Sequence, residues 1–172
     1  QGCESAPATG VLTVNALPTA TVNNESICAG DPAATFTATS ATAVSWLWSA
    51  NGSGTAQTTT GTIAGNYTVV VTDAQGCESA PATGVLTVNA LPTATVNNES
   101  ICAGDPAATF TATSATAVSW LWSANGSGTA QTTTGTIAGN YTVVVTDAQG
   151  CESAPATGVL TVNALPTATV NN

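Results

Sequence analysis

Five cysteines and nine carboxylates are the residues of this chain that could do chemistry. The cysteines are Cys3, Cys28, Cys77, Cys102 and Cys151. No CxxC spacing occurs and histidine is absent, so a zinc centre is disfavoured. Paired cysteines in a small, Thr-rich β chain read as disulfides of an exported protein, with buried free thiols as the alternative. The carboxylates begin with Glu4, Glu25, Asp31 and Asp73, scattered and never adjacent. Acid–base or nucleophilic catalysis has no histidine base, no lysine nucleophile and no arginine clamp to work with. We therefore expect no enzyme and no catalytic residue.

The charge balance narrows the partners further. Lysine and arginine are both absent, and the formal net charge is −9. A chain without cations cannot neutralise phosphates, which excludes nucleic acid, and it has nothing to offer an anionic lipid surface. No apolar run approaches the ~20 residues of a membrane span. Hydrophobic residues nevertheless make up 43 % of the chain, too many for a disordered segment. With no methionine and no signal peptide, the sequence reads as an internal or processed piece of something longer.

The elements that must position these residues are set by a repeat. The stretch QGCESAPATGVLTVNALPTATVNN begins at Gln1, Gln75 and Gln149, and residues 1–74 are identical to residues 75–148. The period of 74 residues suits one small domain per copy. Within a copy the pattern is one of alternation. In AATFTATS (residues 33–40), Ala34, Phe36 and Ala38 share one face and threonines the other. AVSWLWS (residues 43–49) places Val44, Trp46 and Trp48 together, and NYTVVVTDAQG (residues 66–76) places Tyr67, Val69 and Val71 together before turning at residues 73–76. Period two dominates and period 3.6 is absent, so every element is predicted to be a strand. About seven short strands with an aromatic core predict an all-β fold of tandem immunoglobulin-like sandwiches.

The strand order is expected to run from residues 19–23 through 34–40, 44–49, a middle pair within 54–63, 67–72 and 84–89. That order moves the domain boundary away from Gln1. Domains are expected at 16–89 and 90–163, with residues 1–15 the last strand of a preceding repeat and 164–172 the first strand of a following one. The repeated 24-residue stretch is then a strand–linker–strand junction.

Trp46 and Tyr67, with Trp120 and Tyr141 in the second copy, are expected as core aromatics. Tyr67 opens its strand as a tyrosine corner does, with its hydroxyl reaching nearby backbone. Trp48 is expected nearer an edge or a contact, and with residues 49–54 it is the candidate carbohydrate platform. Calcium has one candidate set, Glu25 and Asp31 with Asp147 and Glu152, although no DxDxD run concentrates the oxygens it needs. Asn24-Glu25-Ser26, Asn51-Gly52-Ser53 and Asn66-Tyr67-Thr68 match the N-glycosylation pattern, and the threonines at 58–60 offer O-linked positions.

The disulfide pairing stays open between readings. Pairs Cys28–Cys77 and Cys102–Cys151 keep each bond inside one domain. In such a sandwich, however, the turns holding Cys28 and Cys77 tend to lie at opposite ends, and a disulfide needs Cα atoms within roughly 7 Å. A bond such as Cys28–Cys151, or a link between chains, is the alternative. Cys3 has no partner under the first reading.

Three features are shared with a known group of proteins. They are Ile27-Cys28-Ala29-Gly30, Val71-Thr72-Asp73-Ala74-Gln75-Gly76-Cys77, and the junction VNALPTATV. Across its whole length the chain resembles the tandem Ig-like and PKD-like repeats of giant surface proteins from Bacteroidetes-type bacteria. That resemblance implies secreted or surface-anchored adhesins, filaments and matrix proteins, often exported by the type IX route, with no catalytic residues. It implies a structural repeat forming the shaft of an extracellular filament or long cell-surface adhesin, whose partners are identical repeats of the same or a neighbouring chain. A repeated carbohydrate- or surface-binding module is the alternative. The chain departs from many such relatives in lacking lysine and arginine and in repeating without differences.

Overall fold

A computed structural model describes residues 1–170 of the chain. It contains fourteen strands, and among the described residues no helix. The strands are β1 (Thr21–Val22), β2 (Glu25–Cys28), β3 (Ala34–Thr39), β4 (Ala43–Ala50), β5 (Thr58–Gly61), β6 (Gly65–Asp73) and β7 (Ala82–Asn89), then β8 (Thr95–Val96), β9 (Glu99–Cys102), β10 (Ala108–Thr113), β11 (Ala117–Ala124), β12 (Thr132–Gly135), β13 (Gly139–Asp147) and β14 (Ala156–Asn163). Residues 1–20 and 164–170 carry no strand, and residues 171 and 172 of the expected strand at 164–172 lie outside the described residues. Two compact units result, one of Gln1–Ile27 with Pro32–Thr87, the other of Cys28–Asp31 with Val88–Asn172.

Each set of seven strands forms a three-stranded and a four-stranded sheet. The orders are β1-β3-β5 with β2-β7-β6-β4, and β8-β10-β12 with β9-β14-β13-β11. This is the immunoglobulin-like sandwich in tandem. The alternation read from the sequence explains the burial: Ala34, Phe36 and Ala38 are buried while the threonines between them are exposed. In the second unit the core gathers Ala108, Phe110, Ala112, Trp122, Tyr141, Val143, Val145 and Leu160. Phe110 stacks on Tyr141 with ring centroids 4.1 Å apart, and Phe36 on Tyr67 likewise.

Two elements differ from the expected order. First, ESIC forms a strand. β9 runs parallel to β14, pairing Leu160 with Glu99 and Asn163 with Cys102. The chain therefore leaves β8 in one sheet and enters the other within three residues. Paired asparagines make that crossing affordable for the backbone. Asn97 accepts from the Thr111 N–H (2.6 Å) and donates to the Thr109 carbonyl (3.1 Å), while Asn98 accepts from the Val159 N–H (2.8 Å). Asn23 and Asn24 repeat these bonds in the first unit. Second, the middle of each copy holds one strand, β5 or β12, instead of two.

The tryptophans correct the expectation for β4 and β11. A bulge between Ala43 and Ser45 shifts the register, turning Val44 outward to 60 % exposure. Trp48, expected near an edge or a contact, is buried at 4 % exposure, as is Trp122, and their indole N–H groups donate to the Ala56 and Ala130 carbonyls at 2.9 Å. Trp46 and Trp120 are partly buried, Trp120 packing against the core of the second unit, and their indole nitrogens are enclosed without a partner.

Tyr67 and Tyr141 are fully buried, and each hydroxyl donates to a backbone carbonyl four residues earlier, Ile63 or Ile137, at 3.0 Å. Gly61 and Gly135 lie against these phenols so closely that a Cβ would overlap the ring.

Candidate functional site

The chemistry of this chain is concentrated in two turns. One follows β2. Cys28 ends that strand, and its N–H donates to Asp31 Oδ2 (2.9 Å) while the Asp31 N–H returns to the Cys28 carbonyl (3.1 Å). Gly30 supplies the left-handed residue the turn needs, with φ of 94°. The Ala29 N–H donates to the Asn89 carbonyl at 2.8 Å, extending the ladder past the strand end.

The other turn follows β13. Asp147 is buried, and its Oδ1 accepts from the N–H groups of Gln149 (3.0 Å) and Cys151 (2.9 Å). The Asp147 N–H donates to the Cys151 carbonyl (3.0 Å), and Ser153 binds Val145 through both its N–H (2.9 Å) and its hydroxyl (3.1 Å). This is an Asx-type turn in which one carboxylate holds several donors.

The two turns are joined by a disulfide between Cys28 and Cys151, with Cα atoms 5.5 Å apart. Both residues fall in the second compact unit, which includes Cys28–Asp31. Cys151 is 1 % exposed, so the bond is shielded on that side. A cleft of about 380 Å³ opens beside it, lined by Cys28, Ala29, Gly30, Asp31, Leu91, Gly150 and Glu152.

The pairs Cys28–Cys77 and Cys102–Cys151 do not form. Cys3 and Cys102 are free and exposed, and Cys77 is free and partly buried. The sheet register gives the reason. Asn163 of β14 pairs with Cys102, and Leu160 pairs with Gly139, so Cys102 stands at the start of β13. Cys151 follows Asp147 at the other end of that nine-residue strand. At about 3.3 Å per residue the strand separates them by roughly 25–30 Å, far beyond disulfide reach. Sequence reasoning named Cys28–Cys151 as one alternative and lacked the strand ESIC that decides between them.

The remaining candidates fall as follows. Asp31 and Asp147 spend carboxylate oxygens on their own turns, Glu25 accepts from Asn23, and Glu152 lines the cleft. No group of three or more His, Cys, Asp or Glu side chains stands close enough to hold a metal ion among the described residues. No helix there is long and apolar enough to cross a membrane. What the site can do chemically is to make, hold and exchange a covalent cross-link between two ordered turns.

No family model and no curated protein matches the chain. Solved structures do. The fibronectin(III)-like modules of Clostridium thermocellum CbhA match over 90 % of this chain and all of theirs, at 18 % identity and a TM-score of 0.42. A three-Ig fragment of titin, domains I67–I69 in a Glu-to-Ala variant, matches over 88 % of this chain and 67 % of its own, at 14 % identity and 0.48. Three N-terminal domains of the outer capsid protein Hoc of bacteriophage RB49 match over 85 % and 59 %, at 19 % identity and 0.47. The fold assignment rests on the strand order of this chain.

Proposed function

We propose that this chain is a structural repeat segment, part of the shaft of an extracellular filament or a long cell-surface adhesin of the bacterial surface-protein class it resembles. One observation carries the reading: a disulfide bonds position 28 of one exact repeat to the third position of a later one, Cys28 to Cys151. A repeat that needs only to bind a ligand has no use for a bond spanning 123 residues of chain. A repeat that bears load along its length does, because the bond stops extension. Disulfides persist in oxidising compartments, which supports secretion. The absence of lysine and arginine leaves no trypsin site, and this suits a protein exposed to proteases. The domain limits that go with this reading are 16–89 and 90–163, and its partners are identical repeats.

The carbohydrate reading placed its contact on Trp48, and that ring is 4 % exposed. The buried indole leaves the platform without its aromatic face.

The test is immunogold labelling of the cells that make the protein, with an antibody raised against the oxidised chain. Labelled fibres or stalks outside the cell are expected. Label confined to the cytoplasm refutes the proposal.

A further inference from the structure

We infer that the Cys28–Cys151 bond is one member of a series of overlapping loops, so that a single cut of the backbone within the series does not part the shaft. The inference rests on the shaft reading above, in which the repeat continues, and adds how that shaft withstands proteolysis.

The period and the bond together set the overlap. The bonded cysteines lie 123 residues apart, and the repeat recurs every 74. A loop longer than its own period overlaps the next, here by 49 residues, from Cys102 to Cys151. Cys28 and Cys102 hold one repeat position, and Cys77 and Cys151 another. At the observed spacing Cys102 takes a cysteine 123 residues further along, and Cys77 takes one 123 residues earlier. Both partners fall outside residues 1–172, so the free thiols of Cys77 and Cys102 follow from the spacing.

The fold leaves no shorter pairing. Cys102 stands at the start of β13 and Cys151 beyond its end, roughly 25–30 Å apart. A bond within one copy is therefore out of reach, and the bond that forms goes to a later copy. The turn that receives it is the same in both units. Asp147 Oδ1 accepts from the Gln149 and Cys151 N–H groups at 3.0 and 2.9 Å, and Asp73 Oδ1 accepts from Gln75 and Cys77 at the same distances.

The loop also encloses the most open stretch of backbone between the units' strands. Residues 90–94, between β7 and β8, carry no strand, and Leu91 and Thr93 are exposed there. Exposed, irregular chain is where proteases cut first. Those residues lie between Cys77 and Cys102, inside the Cys28–Cys151 loop. A cut among them leaves both sides joined through the sulfurs. Had each copy closed its own loop, Cys28–Cys77 and Cys102–Cys151, the same cut would part the chain.

Each tie needs an oxidant, and a small external disulfide such as oxidised glutathione supplies it. One cysteine thiolate attacks that disulfide and expels a glutathione thiolate. The partner thiolate then attacks the mixed disulfide at the protein sulfur and expels the other. Two protein thiols become one disulfide, one oxidised glutathione becomes two reduced, and two protons pass to solvent or to the leaving thiolates.

The glutamates supply the test. Glu78 and Glu99 lie between Cys77 and Cys102, and Glu4, Glu25 and Glu152 hold the same repeat positions. Cleavage after every glutamate releases Ser26–Glu78 and Ser100–Glu152, identical pieces of 53 residues with two cysteines each. The protein is isolated from the cells that make it, and its free thiols are blocked with iodoacetamide. It is then digested to completion in denaturant with a glutamate-specific protease and separated without reductant. The expected product is a disulfide-linked polymer of these pieces, which reductant collapses to the single 53-residue piece. Undigested protein keeps one molar mass by light scattering in denaturant with and without reductant, because every tie lies within one chain. Separate pieces, or pairs and nothing larger, overturn the inference, and so does a molar mass that falls on reduction. Those outcomes leave the shaft reading standing, because surface labelling is read independently. Cytoplasmic label removes the shaft reading whatever the digest gives.

Discussion

Reduction of Cys28–Cys151 changes how far the chain can be pulled, and the size of the change follows from the bond's position. The disulfide spans 123 residues of a chain of 172. Inside that loop lie β3 to β13, while β1, β2 and β14 are the strands not enclosed by it. Force applied at the two ends passes from Cys28 through the sulfurs to Cys151 and bypasses the loop. Fully extended chain spans about 3.3–3.6 Å per residue, so the oxidised molecule stretches to roughly 160–180 Å and the reduced one to roughly 570–620 Å. The assay is single-molecule force extension with enzymatically attached handles at both termini, with and without prior treatment by a phosphine reductant. The alternative pairing predicts a different number. Bonds Cys28–Cys77 and Cys102–Cys151 would each lock a shorter loop and leave the chain between them free, giving an oxidised length near 250 Å by the same spacing. Oxidised and reduced molecules of equal length would refute the reasoning altogether. The same loop bears on stability. In the chain-entropy view, closing a loop of this length removes about 5 kcal/mol of disorder from the unfolded chain.

Three further predictions concern the folded units, and substitutions in the second unit have the unaltered first as internal reference. Trp122→Ala lowers stability by about 3–5 kcal/mol because it empties a core position, and Trp120→Ala, at a partly buried position, costs clearly less; denaturant unfolding followed by circular dichroism ranks the two. Tyr141→Phe keeps the stacked ring and removes the hydroxyl that binds the Ile137 carbonyl, a loss of about 1 kcal/mol by the same measurement. Gly135→Ala forces a methyl group into the Tyr141 phenol and costs about 1–3 kcal/mol; an unchanged unfolding midpoint would show that the ring can move away.

Much of this fold was legible because burial follows a period of two. Phe36, Ala38, Tyr67, Val69 and Val71 could be assigned to an inward face from spacing alone, and they are buried. What spacing could not show was a break in the period. The bulge at Val44 changes which face a residue occupies, and bulges leave no mark in a run of apolar residues. That is why Val44 was expected on one face with Trp46 and Trp48 and is instead 60 % exposed. ESIC was illegible for a different reason. Its pairing with β14 in the second unit is parallel and joins residues about sixty apart, and Asn97-Asn98 resembles an ordinary turn until its long-range bonds are known. The candidate site depended on that strand. With ESIC read as a turn, Cys28 and Cys77 could not be placed relative to one another. Once ESIC is a strand, the length of β13 separates the equivalent pair, Cys102 and Cys151.

Exact repetition of the sequence has a physical consequence at this point. The second set of seven strands presents one kind of cysteine turn at the start of its longest strand and the other kind beyond its end, as Cys102 and Cys151 do around β13. Unlike, complementary turns at opposite ends let one repeated sequence supply both halves of every link. The linkage then depends on the turns being ordered before they meet, not only on a thiol being exposed. Asp31→Ala separates these two requirements. It removes the acceptor of the Cys28 N–H and leaves both cysteines of the Cys28–Cys151 bond in place. Slower re-formation of that bond after reduction is the expected result, followed by non-reducing peptide mapping with a non-tryptic protease. A bond that re-forms at the original rate would mean that the meeting of the two thiols alone governs the link, and that the carboxylate in the turn serves only the fold.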